Sequence, residues 1–413
     1  MNALRLTPLR AAALLAAALL APCARAAEKL VITAAHDLAL ARPSETIVVP
    51  WAEVNRALPH ALLQKLAVKD SAGRVLPYQV TNVAPLAKDP EKRGAAYGEL
   101  IFQYDFAAGE RSASFTVEKT EELAPVFPVK AFARAVPERL DDFAWENDRI
   151  AHRAYGPALA APSEPPGAKE VLVTSGIDVW CKRVRYPIVD RWYNKGHDHY
   201  HTDEGEGMDL YSVGPSRGCG GTGIWDGSRL HVGRNYQTAR VLANGPVRAV
   251  FELTYETWAA GGVFVSETKR FTVDAGHNLD RVESTFTASG KSPELTVAIG
   301  LHKNPADKGQ DPSVDVIRNP ADGWLAQWVA QKTNGELGAA VLVPSAAFAG
   351  FAEDDRNLLV LAKVAPGQPL TYYAGAAWSR AGDFTTREAW LTHLEACAAR
   401  ARHPVKITLE AAK

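Results

Sequence analysis

Alternation of apolar and polar residues organises most of this chain. Between Lys29 and Lys119 it comes in short runs, KLVITA, ETIVVPW, LAVKD, RVLPYQVTN, GELIFQYDF and RSASFTVEK, separated by turn-formers such as Ser71-Ala72-Gly73. A period of two puts successive side chains on opposite faces of a strand, so residues 27–120 are expected to form a small antiparallel β-sandwich. Residues 121–137 carry prolines and no sustained period, and read as a linker. Longer runs follow from residue 138, among them RIAHRAYG, VRAVFELTYETW, FVSETKRFTV, LDRVESTFTA, LTVAIGLH and NLLVLAKV. Their richness in Val, Phe, Thr and Tyr suits a large antiparallel sheet pair.

One helical signal interrupts the pattern. Thr385 followed by Glu388 has the form of a capping box, and Leu391, Leu394 and Ala398 recur at helical spacing behind it. This helix is expected to pack on the second sandwich, with His393 on its surface and VKITL adding a last strand. The predicted fold class is therefore all-β: a small N-terminal β-sandwich, a large antiparallel sheet pair over residues 138–413, and one C-terminal helix.

Composition changes the picture at the N-terminus. Arg5 and Arg10 precede the apolar run Ala11–Ala21 and the small-residue motif Ala24-Arg25-Ala26, the layout of an export signal cleaved after residue 26. Lipidation at Cys23 is the alternative, against which stand Pro22 and the cleavage motif after it. A periplasmic or secreted protein is expected. No later stretch has the ~18 apolar residues of a membrane span. The formal net charge of −1, with both signs interspersed, offers no footprint for a nucleic acid. The mature chain keeps Cys181, Cys219 and Cys397. A Cys181–Cys219 bridge would close a loop of ~39 residues, and buried free thiols are the alternative.

Candidate chemistry concentrates between Trp192 and Gly221, where His197, His199, His201, Asp203, Glu204, Glu206 and Asp209 share a glycine-punctuated segment with Tyr193, Tyr200, Tyr211 and Arg217. His197-x-His199-x-His201 would put three imidazoles on one face of a strand, a ligand set for a divalent metal; the glycines argue instead for a loop, and no cofactor is required. Acid–base chemistry needs fewer groups. His201 could remove a proton beside a substrate carboxylate, Tyr200 or Tyr211 could protonate the leaving oxygen, and Arg217 or Arg185 could neutralise the carboxylate. Hydrolysis would instead need two carboxyl groups from Asp203, Glu206 and Asp209. Trp180, Trp192 and Tyr193 offer flat faces for sugar rings or ordinary core, Arg183 and His199 are further candidate contacts, and His302 ends a strand from which it could overhang a concavity.

WENDRIAHRAYGPAL (Trp145–Leu159), SGIDVWCKRVRYPIVDRWY (Ser175–Tyr193), YHTDEGEGMDLYSVGPSRGCGG (Tyr200–Gly221) and YYAGAAWSRAGDF (Tyr372–Phe384) together resemble the bacterial family DUF4861. The resemblance implies an exported protein associated with the use of pectin, ulvan and other uronic-acid polysaccharides, and a supersandwich like that of galactose mutarotase. It assigns no catalytic residues. The expectation that results is a lyase cleaving uronic-acid-containing glycans by β-elimination, with a glycoside hydrolase or a non-catalytic periplasmic carbohydrate-binding protein as alternatives.

Overall fold

The computed structural model describes residues 29–81, 98–290, 294–306 and 309–412; the expected export signal at 1–26 lies outside them. The ladders between the described strands run antiparallel and gather into five sheets. Two of these, of four and three strands, close over a core that includes Ile32, Val49, Val68, Phe102 and Phe115, which is the expected small sandwich. Its four-stranded sheet is completed from the far end of the chain, because Lys406–Ala412 pairs along the whole of Lys29–Ala35. The VKITL strand thus belongs to the small sandwich. Val405, Ile407 and Leu409 pack against its core, a burial the solvent-facing edge of the other domain would not offer.

The larger part stacks an eight-stranded sheet against two five-stranded sheets. Alternate side chains of the eight-stranded sheet, such as Phe251, Phe271, Val282, Val341 and Tyr372, face the other two sheets and build the main core. Its opposite face carries Trp324, Trp328, Ala340 and Leu342, and on these the helix Arg387–Arg402 lays Trp390, Leu394 and Ala398. That helix starts one residue later than the sequence suggests: Thr386 is the N-cap and accepts from the Ala389 amide at 3.2 Å. Gly338 leaves room for the docked indole, since a Cβ there would stand 2.8 Å from Trp390. His393, expected on the surface of this helix, is mostly buried against Phe384 and Trp390, with Cys397 Sγ at 3.4 Å.

The stretch read as a linker contains a strand, Phe132–Val136, which pairs with Asp142–Glu146 at the edge of one five-stranded sheet. That sheet continues through Ile150–Ala154 and Ile177–Lys182 to the short strand Gly207–Asp209. It carries the segment richest in chemistry. Cys181 and Cys219 are both free and buried, so no bridge brackets that segment: Cys181 sits in the main core and the Cys219 thiol faces the Gly375 carbonyl at 3.4 Å.

Candidate functional site

The start of the histidine-rich segment is helical, neither the strand that period-two alternation would make nor the loop that the glycines suggest. The helix Val189–Lys195 ends at Gly196, whose φ of +95° suits glycine, and a single turn, His197–Tyr200, follows. The first helix is anchored from the neighbouring sheet. Glu146, wholly buried, accepts from the amides of Ile188 and Val189 at 2.9 Å and pairs with Lys182 at 2.6 Å. A remote carboxylate thereby occupies the positive end of the helix. After the turn the chain returns to the sheet edge, pairing Asp209 with Trp180 and Gly207 with Lys182. Gly207 is required there, because a Cβ would fall 2.0 Å from the Cys181 carbonyl.

Trp180, Trp192, Tyr193 and Tyr200 hold this assembly together and do not present a sugar platform. The rings of Trp192, Tyr193 and Tyr200 lie 5.4, 4.9 and 4.8 Å from that of Trp180, and all four side chains are buried. Their stacking fixes the short turn against the sheet.

Beneath the turn lies a charge cluster centred on Arg153, which projects from Ile150–Ala154. Its guanidinium is 2.6 Å from Asp178, 3.7 Å from Asp209 and 3.9 Å from Asp142, and meets the hydroxyls of Tyr200 and Tyr155 at 3.3 Å. All six side chains are buried. Burial pushes the Asp142 carboxyl up to about 6 and the Asp178 carboxyl above its usual range, in both cases against the pull of Arg153. Cation and carboxylates therefore restrain one another in a site nearly closed to water.

His201 is where this cluster meets solvent, with a third of its side chain accessible. Nδ1 lies 3.3 Å from the Asp209 carbonyl oxygen and 3.8 Å from its carboxylate. A carbonyl can only accept, so Nδ1–H donates and Nε2 keeps its lone pair. Burial holds the imidazole below its ordinary range, partly offset by that carbonyl, which leaves the ring neutral at neutral pH. Around it stand His197, ring to ring at 4.8 Å, and Tyr200 at 4.9 Å. Arg139 reaches the Tyr200 hydroxyl from the outer side and pairs with the half-exposed Glu170 at 2.7 Å.

Of the residues singled out in the sequence, His197, His201, Tyr200, Asp209, Trp180, Trp192 and Tyr193 come together here. The others disperse. Arg217 is buried elsewhere, its guanidinium on Ser175 Oγ at 2.6 Å and the Thr222 and Pro215 carbonyls, and desolvation depresses it to about 10. Tyr211 is buried, its hydroxyl accepting the His302 amide at 3.2 Å, while His302 Nδ1 bonds the Ser212 carbonyl. Asp203 pairs with Arg183 at 2.9 Å, Arg185 with Asp383 at 2.7 Å, and Glu206 accepts from Tyr186 and Arg191. His199 turns to Glu204 at 3.2 Å, so the helical turn parts it from the other two imidazoles, those of His197 and His201. Among the described residues no group of three His, Cys, Asp or Glu side chains is arranged to hold a metal ion.

Arg153, Asp142, Asp178, Tyr155 and Arg139 were not singled out from the sequence. Arg153 in IAHRAYG and Asp178 in GIDVW carry the signal that could have found them: a charge inside a run otherwise reading as buried strand, which requires a buried partner.

Fold and site define an all-β protein of paired sandwiches with a histidine poised over a buried arginine–aspartate cluster. A family described as a domain of unknown function, DUF4861, matches residues 35–407, and the chain belongs to that family. "Uncharacterized protein P7" of Formosa agariphila is 29% identical over 408 residues, covering 96% of this chain and 97% of that protein. Among solved structures, an alpha-mannosidase from Enterococcus faecalis aligns with a TM-score of 0.42 and 10% identity, covering 94% of this chain and 46% of that one, so the chain spans under half the length of that enzyme.

Proposed function

We propose that this protein is an exported enzyme that cleaves uronic-acid-containing glycans by β-elimination, without a required cofactor. One observation carries the choice of chemistry. His201 is the accessible base of its cluster, whereas Asp142, Asp178 and Asp209 are sealed beneath it. Asp203 and Glu206, the other carboxylates that could serve hydrolysis, are committed to ion pairs. Proton abstraction suits this arrangement better than paired-carboxylate attack.

In this reading His201 Nε2 removes the C5 proton, the C5–H electron pair forms the C4=C5 double bond, and the C4–O bond breaks with its electrons leaving on oxygen. The Tyr200 hydroxyl, bonded to Arg153, is as buried as those aspartates, so solvent water returns a proton to that oxygen. Arg139 exchanges Glu170 for the substrate carboxylate and so replaces Arg217 in that role. Carbohydrate as the substrate rests on the family resemblance and export on the signal at residues 1–26.

The test incubates purified protein with pectic, ulvan-like and alginate-like polymers while following unsaturated-uronate absorbance and reducing ends. Both signals should rise together. Reducing ends without absorbance would make the protein a hydrolase, and neither signal, with saccharide-dependent thermal stabilisation, would make it a binding protein.

A further inference from the structure

A second polar recess lies where three parts of the chain meet: the strand Arg42–Pro50 of the small sandwich, the outer face of the eight-stranded sheet, and the helix Arg387–Arg402. It encloses about 270 Å³. Its wall holds four guanidiniums, of Arg42, Arg248, Arg281 and Arg400, against two carboxylates, of Glu45 and Asp274. Glu45 is shared. It takes Nε and Nη2 of Arg42, both at 3.0 Å, and also Nε and Nη2 of Arg400, at 3.2 and 2.8 Å. Asp274 is engaged by Arg248 at 2.5 and 2.8 Å. Arg281 finds its carboxylate in Glu283, which stands outside the wall.

His277 and His393 complete the titratable lining. Burial, and next the charge of Arg400, hold both below the ordinary imidazole range, His393 at about 4, so neither adds charge at neutral pH. Glu283 answers Arg281 and Glu99 stands 3.9 Å from Arg248, so the local excess of cation lies where Arg42 and Arg400 share the single carboxylate of Glu45. Thr46, Tyr373 and Asn278 add hydrogen-bonding groups, and Leu279 and Pro404 add apolar surface.

We propose that this recess is a binding site for a small carboxylate bearing several hydroxyls, a sugar acid of hexuronate size, with its carboxylate on Arg400 and Arg281. A guanidinium matches a carboxylate through paired N–H donors, and two guanidiniums sharing one carboxylate in a half-dry wall favour a further anion beside them. The mixed polar and apolar lining suits a polyol ring. Since the ligand would touch the small sandwich, the large sheet and the helix at once, its binding would stabilise their docking. The site is separate from His201, and its existence does not depend on the reaction proposed there.

Titration calorimetry and thermal unfolding of the full chain, with D-galacturonate, D-glucuronate, D-galactose and inorganic sulfate at up to about 10 mM, ten times a millimolar Kd, test this. At least one uronate is expected to bind and raise Tm, with galactose inert and sulfate weaker. Arg400→Gln should weaken uronate binding about tenfold or more, roughly one charge-assisted contact. Ala401→Leu, which fills the recess without removing a charge, should do the same, while His201→Ala leaves it unchanged. Galactose or sulfate matching the uronates, no response to either uronate, or binding lost in His201→Ala but kept in Ala401→Leu would each overturn the proposal.

Discussion

Arg153 and Asp178 meet at 2.6 Å with both side chains almost sealed from water, and the same guanidinium faces Asp142 and Asp209. Arg153 thus faces three buried carboxyl groups, two of which are pushed towards their neutral forms. Arg153→Met should cost about 3–5 kcal/mol, since it leaves buried carboxylates uncompensated. Asp178→Asn in that background should restore part of the loss. Urea denaturation of the single and double variants reads both effects; a single variant as stable as the parent would mean that other donors hold the cluster.

His201 makes a prediction about pH. A base must be unprotonated, and burial holds this imidazole below its ordinary range, so kcat/KM on a cleaved glycan should rise with pH through a midpoint under ~6.5. His201→Ala should lower turnover about 10²- to 10⁴-fold with an unaltered circular-dichroism spectrum. Full activity in that variant would remove His201 from the mechanism.

Lys182 and Glu146 test the anchoring of the turn. Lys182→Met should destabilise by about 3–5 kcal/mol, because it strands a buried carboxylate. Glu146→Gln added to it should recover much of that cost, since an amide oxygen still accepts from the Ile188 and Val189 amides. Equal instability of the two proteins would show that the stranded charge is not the source of the loss.

Asp280 gives stability a pH slope. Burial raises its carboxyl to about 7, although Trp145 Nε1 donates to it at 2.7 Å. The folded state then holds a proton that the unfolded chain releases near pH 4, so the favourable contribution is complete in acid and is lost as pH rises towards 7. A shift of that size amounts to about 4 kcal/mol. Asp280→Asn should flatten this part of the slope in denaturation series between pH 4 and 8. An unchanged slope would place the titration elsewhere.

The sheets were the legible part of the chain, because strand alternation is local: LAVKD, LDRVESTFTA and NLLVLAKV all lie in strands. Pairing between distant segments is not local, and so the partner of VKITL could not be read from its own pattern. In the site, His201 and Tyr200 were found through their chemistry. Arg217 has the same chemistry as Arg153, and what separates them is burial beside aspartates, set by strands far apart in sequence. The aromatic cluster around Trp180 was ambiguous for the same reason, since ring type does not tell core from platform.

The ladder between Lys29–Ala35 and Lys406–Ala412 has a consequence for how the molecule comes into being. The strand Lys29–Ala35 pairs with Ser112–Lys119 on one side, but its other side waits for a partner separated from it by the entire larger domain, so closing that sheet carries a high contact-order cost. Until then its edge presents unpaired amides and carbonyls to any passing strand. Completion of the small sandwich therefore waits for residues 406–412, and the finished ladder fastens Lys29–Ala35 to Lys406–Ala412 like a clasp.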